Sequence, residues 1–134
     1  MSPAITALVA FALWQLLLTV ALGVFRTTLV NSGRKAPNAF APDGSDVGGL
    51  GQRLTRARDN CYENLPMFAA LVIAAGLTNR LAVLDPLAYI LLLARIGQSV
   101  THIASTSPPA IFVRFGFYIV QISIMIYWAI RLLS

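Results

Sequence analysis

Four polar side chains recur at helical spacing within residues 53–68: Arg53, Arg56, Asn60 and Glu63, with steps of 3, 4 and 3. On a helical wheel they fall within about one quadrant. Arginine presents a planar fork of N–H donors that fits carboxylate or phosphate oxygens. Asn60 and Glu63 beside it suit an amino group on the same ligand. A second set, Arg95, Gln98, Ser99, His102 and Ser105, also shares one helical face. With Arg26 and Arg114, the candidate site comprises Arg26, Arg53, Arg56, Asn60, Glu63, Arg95, Gln98, His102 and Arg114. Five arginines face one stripe glutamate, which calls for an anionic ligand with at least one carboxylate. A small peptide or amino-acid conjugate meets both requirements. The bland alternative assigns the same residues to architecture. Arg56 lies two turns from Glu63, and Arg95 can pair with Glu63 from a neighbouring helix. Gln98 and Ser99 suit interhelical hydrogen bonds, and His102 suits a satisfied interfacial histidine. Cys61 points away from the stripe and reads as a small packing residue.

The elements that carry these residues are those of a membrane protein. Of 134 residues, 57% are hydrophobic and 11% charged, with a mean hydropathy of +0.74. An average soluble domain has about a quarter of its residues charged. The length suits four crossings of roughly 20 residues each. Residues 1–25 contain no charge, and the expected first span is 4–26, closed by Arg26 and read as a span rather than a cleaved leader. Residues 27–51 are expected as a loop, since Pro, Asp-Gly and Gly-Gly punctuate them and no apolar period survives. The further helices are expected at 52–79, 86–105 and 110–132, giving an all-α four-helix transmembrane bundle in a single domain, 1–134. Tyr127 and Trp128 read as an interfacial aromatic pair.

The apolar part of the second helix, residues 65–77, is too short to cross a bilayer core of roughly 30 Å. The span must therefore include Asn60 and Glu63. Charge inside lipid is costly, so the stripe faces protein, a cavity or a ligand. The formal net charge of +5 is concentrated in the first connection, which with its helix ends holds six Lys/Arg (26, 34, 35, 53, 56 and 58). Only Arg80 marks the next turn. Positive-inside bias then expects the long loop in the cytoplasm of a bacterial inner membrane and both termini outside. Nucleic acid is not an expected partner, because no basic groove with interleaved aromatics appears. A lone histidine, a single cysteine and no CxxC or HxxxH exclude the common metal and disulfide patterns.

The pattern Arg56-Ala57-x-x-Asn60-x-x-Glu63-x-x-Pro66-x-Phe68, with Ala94-Arg95-Ile96 and Arg114 later, resembles the MAPEG family, membrane-associated proteins of eicosanoid and glutathione metabolism. The resemblance covers nearly the whole chain. It implies a homotrimer holding glutathione between subunits near the cytoplasmic face, with no metal. It further implies Arg26, Arg56, Asn60, Glu63 and Arg95 as binding residues and Arg114 as the catalytic group that stabilises the thiolate. The second substrate would be a hydrophobic electrophile entering from lipid, conjugated or reduced by the thiol. The chain departs from that pattern at Asp59, where many members carry a basic residue, at His102 for a usual Tyr, and at Gln98 for a frequent His. Asp59 is placed to neutralise Arg56. Two further readings stand beside this one: a non-catalytic trimeric scaffold with a structural stripe, and a small proton-coupled exporter using Glu63.

Overall fold

The computed structural model describes residues 1–42, 44–45 and 49–134. The described residues form four helices and no strand: α1 (Pro3–Asn31), α2 (Gly49–Leu77), α3 (Leu81–Ala104) and α4 (Pro108–Leu133). α1 opens on a Ser2 cap whose hydroxyl accepts from the Ile5 N–H, with Pro3 in the first turn, where its missing donor costs nothing. It runs past Arg26 to Asn31, further than the expected 4–26, because residues 27–31 still lack a breaker. Gly33, at φ 76, then turns the chain out of the helix.

α2 begins at Gly49, three residues before the expected start, and contains Pro66. It ends in a reverse turn in which the Arg80 N–H reaches the Ala75 carbonyl at 2.7 Å and the Asn79 N–H reaches Gly76. Asn79 takes the left-handed position at φ 56 that glycine usually fills. Because this motif reverses the chain within residues 78–80, α3 starts at Leu81 rather than at 86. Pro86 sits inside α3. That early in the helix it removes at most one backbone bond. Likewise Pro108 and Pro109 form the first turn of α4 rather than preceding it.

Long-range contacts fix the helix order. The pairs α3–α4, α2–α3, α1–α2 and α1–α3 are extensive, α2 touches α4 lightly, and α1 and α4 make no described contact. Gly97 lets α4 close on α3, since a Cβ there would stand 2.8 Å from the Phe117 ring. The core is built around Phe11, Phe68 and Trp128. Phe11 meets Phe68 edge-on at 5.5 Å, and Phe68 stacks on Trp128 at 5.9 Å. Trp128 is therefore wholly buried and is not the interfacial residue that the sequence suggested, whereas Tyr127 remains exposed. Aromatic offset contacts of this kind add to simple area burial by about 0.5–1.5 kcal/mol each.

At one end of the bundle, the Asp85 carboxylate accepts from the Ala4 N–H at 2.9 Å. Arg80 donates to the carbonyls of Arg131 and Leu132 at 2.7 and 2.8 Å. Asp85 in the first turns of α3 thus caps the start of α1, and Arg80 of the α2–α3 turn caps the end of α4, with charges of the sign each helix dipole favours. The opposite end gathers the α1–α2 connection, the start of α2, the end of α3 and the start of α4. α1, α3 and α4 are long and apolar enough to cross a membrane. α2, at 29 residues, has the length of about 43 Å but carries the charged stripe.

Candidate functional site

At the loop-bearing end, Gln52, Arg56, Asp59, Asn60 and Glu63 of α2 line an open cleft of about 400 Å³ together with His102 of α3 and Arg114 of α4. α2 contributes a face at steps of three and four, which is why five of its side chains reach one space. Arg56 and Glu63 are exposed along that wall and make no hydrogen bond or ion pair with other described residues. His102 is nearly buried and forms the floor between its neighbours. The Arg114 Nη1 donates to His102 Nδ1 at 2.7 Å, and the Asn60 Nδ2 lies 2.5 Å from His102 Nε2. Three helices are therefore joined through one imidazole.

A second recess of about 270 Å³ lies against the same three residues. It adds Gln98 and the side chains of Ile111, Phe115 and Tyr118 on α4. Asn60, His102 and Arg114 thus form a wall shared by a polar cleft and a largely apolar one. This arrangement can hold an anion on one side and an apolar body on the other, with a guanidinium between them. Such a cation favours a thiolate over a thiol, and a free thiol of pKa near 8.5 is only a few per cent ionised at pH 7.

Not every predicted residue reaches the cleft. Arg95 is wholly buried, its guanidinium 5.8 Å from the centre of the Phe11 ring, and none of its side-chain nitrogens has a hydrogen-bond partner among the described residues. Within one chain it does not line the cleft. Gln98 is also buried and accepts from the Gln121 amide at 2.9 Å, an interhelical bond between α3 and α4. Arg53 turns away from the stripe and donates to the Ile103 carbonyl at 2.6 Å, tying the start of α2 to the end of α3. Arg26 lies in a separate recess with Thr27, Val30, Pro37 and Phe40, its guanidinium 5.4 Å from the Phe40 ring centre.

Ile111, Phe115 and Tyr118 of the second recess fell outside the candidate set, as did two residues that line the polar cleft. Gln52 sits one turn before Arg56, and its spacing of four was the available signal. Asp59 lines the cleft, but its carboxylate pairs with Arg58 at 2.8 Å rather than with Arg56. The short i,i+1 pair leaves Arg56 unneutralised. Cys61 is buried as expected and lies 3.2 Å from the Ser99 hydroxyl. Among the described residues no group of His, Cys, Asp and Glu could hold a metal ion.

A comparison with protein families covers nearly the whole of this four-helix chain. Residues 4–134 fit the profile of the MAPEG family. The chain belongs to the MAPEG family. No curated protein and no solved structure matches the chain. As a MAPEG protein with three membrane-length apolar helices, the chain is an integral membrane protein. The α2 stripe of this MAPEG chain then lies in the one helix that charge keeps from being simply lipid-grade.

Proposed function

We propose that the cleft binds glutathione or a closely related thiol peptide and delivers its sulfur to a hydrophobic electrophile, by conjugation or reduction. One observation carries the reading. Arg56, Asn60, Glu63, His102 and Arg114, drawn from three helices, converge on a single cleft backed by an apolar recess. Arg56 engages a ligand carboxylate, and Glu63 engages its ammonium. Arg114 holds the thiolate at the wall between the two spaces, so the nucleophile forms where the apolar substrate arrives. Ile111, Phe115 and Tyr118 supply the surface for that substrate, which enters from lipid.

The protein acts as a homotrimer with the site at subunit boundaries. Arg26 joins the site only across such a boundary, because within one chain it belongs to a separate recess. The basic first connection is cytoplasmic, in a bacterial inner membrane, by the positive-inside bias. Calorimetric titration of glutathione into the detergent-solubilised protein should give saturable heat, weakened roughly tenfold or more in Arg56→Ala, the range for one lost charged hydrogen bond. A thiol-dependent ultraviolet difference band should vanish in Arg114→Ala. Flat titrations with glutathione and related thiols would overturn the reading.

A scaffold reading is favoured by the closed Gln98–Gln121 and Arg53–Ile103 bonds, which need no ligand. Under that reading Glu63→Gln lowers thermal stability and dissociates oligomers. Under the thiol reading it weakens ligand binding and leaves assembly intact.

A further inference from the structure

The wall between the two spaces contains a constraint on proton placement. Arginine has five N–H donors and no acceptor, so His102 Nδ1, which meets Arg114 Nη1 at 2.7 Å, must be an unprotonated acceptor. A neutral imidazole then carries its proton on Nε2. The Asn60 amide sits with Nδ2 2.5 Å from Nε2, which would set donor against donor; exchanging the amide nitrogen and oxygen, which are alike in shape, puts the acceptor oxygen against Nε2–H. The Asn60 NH2 is left as the group free for the cleft.

We infer that His102 is a positioning residue: a neutral, Nε2–H imidazole that anchors Arg114 through one nitrogen and turns the Asn60 amide through the other. The cleft is thereby given N–H donors, and not a carbonyl, at Asn60. The ligand group opposite Asn60 is an acceptor, a carboxylate or carbonyl oxygen. The ligand's ammonium is directed to Glu63 alone. This revises the sequence-based expectation that Asn60 and Glu63 serve the amine together. Arg114 Nε is buried, but Nη2 has no partner among the described residues, so the anchor leaves that nitrogen for the anion. The proton placement stands on the chain's own geometry. Only the identity of the ligand rests on the thiol-peptide reading.

His102 is the only histidine in the sequence, so its ring can be observed without assignment. The test is nitrogen-15 NMR of histidine-labelled protein in detergent at neutral pH, with a purification tag free of histidine. The expected spectrum has a non-protonated Nδ1 and a protonated Nε2. An Nδ1–H tautomer or a doubly protonated ring would overturn the inference, whatever glutathione does. The second arm uses Asn60→Asp, which keeps an acceptor oxygen for Nε2–H and replaces the cleft-facing donors with a carboxylate oxygen. Its thermal unfolding should stay close to that of the parent while glutathione affinity falls about tenfold or more. Parent-like affinity would overturn the donor assignment at Asn60, and so would collapse of the fold, since a retained acceptor should preserve the His102 contact. A parent protein that shows the expected tautomer yet gives no heat with any thiol would sink the proposed function and leave the proton placement standing.

Discussion

The polar residues of this chain divide by what they touch, and residue type alone does not predict the division. Arg56 and Arg53 are three apart on the same helix, yet one lines the cleft and the other holds the Ile103 carbonyl. Arg95 and His102 share a face of α3, yet one is sealed beneath Phe11 while the other floors the cleft. Gln98 and Gln121 form a buried amide pair between α3 and α4, with Gln121 also donating to the Phe117 carbonyl. Removing one partner strands the other in a buried setting, which costs about 1–3 kcal/mol, whereas replacing both with apolar groups of similar shape is nearly neutral. Gln98→Leu and Gln121→Leu should each lower thermal stability in detergent, and the double variant should recover most of the loss. Additive losses would show that the pair does not act as a unit.

At the scale of elements, helix type and number follow from apolar content and breakers, while helix ends depend on distant contacts. The start of α3 shows this. Leu84-Asp85-Pro86 reads as a turn, because proline favours the first turn of a helix. The left-handed Asn79 completes the reversal earlier, and Asp85 is drawn to the Ala4 N–H, 81 positions away in sequence. No local pattern encodes that partner. The two caps at this end act on different helices: Asp85 on the start of α1, and Arg80 on the end of α4. Asp85→Ala and Arg80→Ala should each cost about 1 kcal/mol, and their effects should add. Thermal or denaturant unfolding of the two single variants and the double variant checks this. Strong non-additivity would mean that the α2–α3 turn moves as a whole when either cap is lost.

For the whole molecule, the antiparallel order puts the end of α1, the start of α2 and the α3–α4 turn at one end and the α2–α3 turn at the other. In sealed vesicles, a membrane-impermeant thiol reagent should therefore label Asn38→Cys and Thr78→Cys from opposite sides. Cys61, fully buried, should stay unlabelled in both. Labelling of both introduced thiols from one side would contradict the crossing pattern.

Composition and periodicity by themselves determined that this is a four-helix membrane protein with a polar stripe on its second helix. Lipid tolerates few charges, and helical spacing sorts side chains onto faces. The stripe was also expected to run unbroken into the apolar segment, and α2 is one continuous helix over Gly49–Leu77. What the tertiary structure alone decided is which polar groups meet. A shift of one residue along a helix turns a side chain by about 100°, so Gln52 and Arg53 go to different partners even though both are polar. The joining of α2, α3 and α4 through His102, the pairing of Asp59 with Arg58 and the burial of Arg95 all depend on how the helices pack about Phe11, Phe68 and Trp128. Helix azimuth and approach are set by contacts remote in sequence, and those contacts turn a stripe into a cleft.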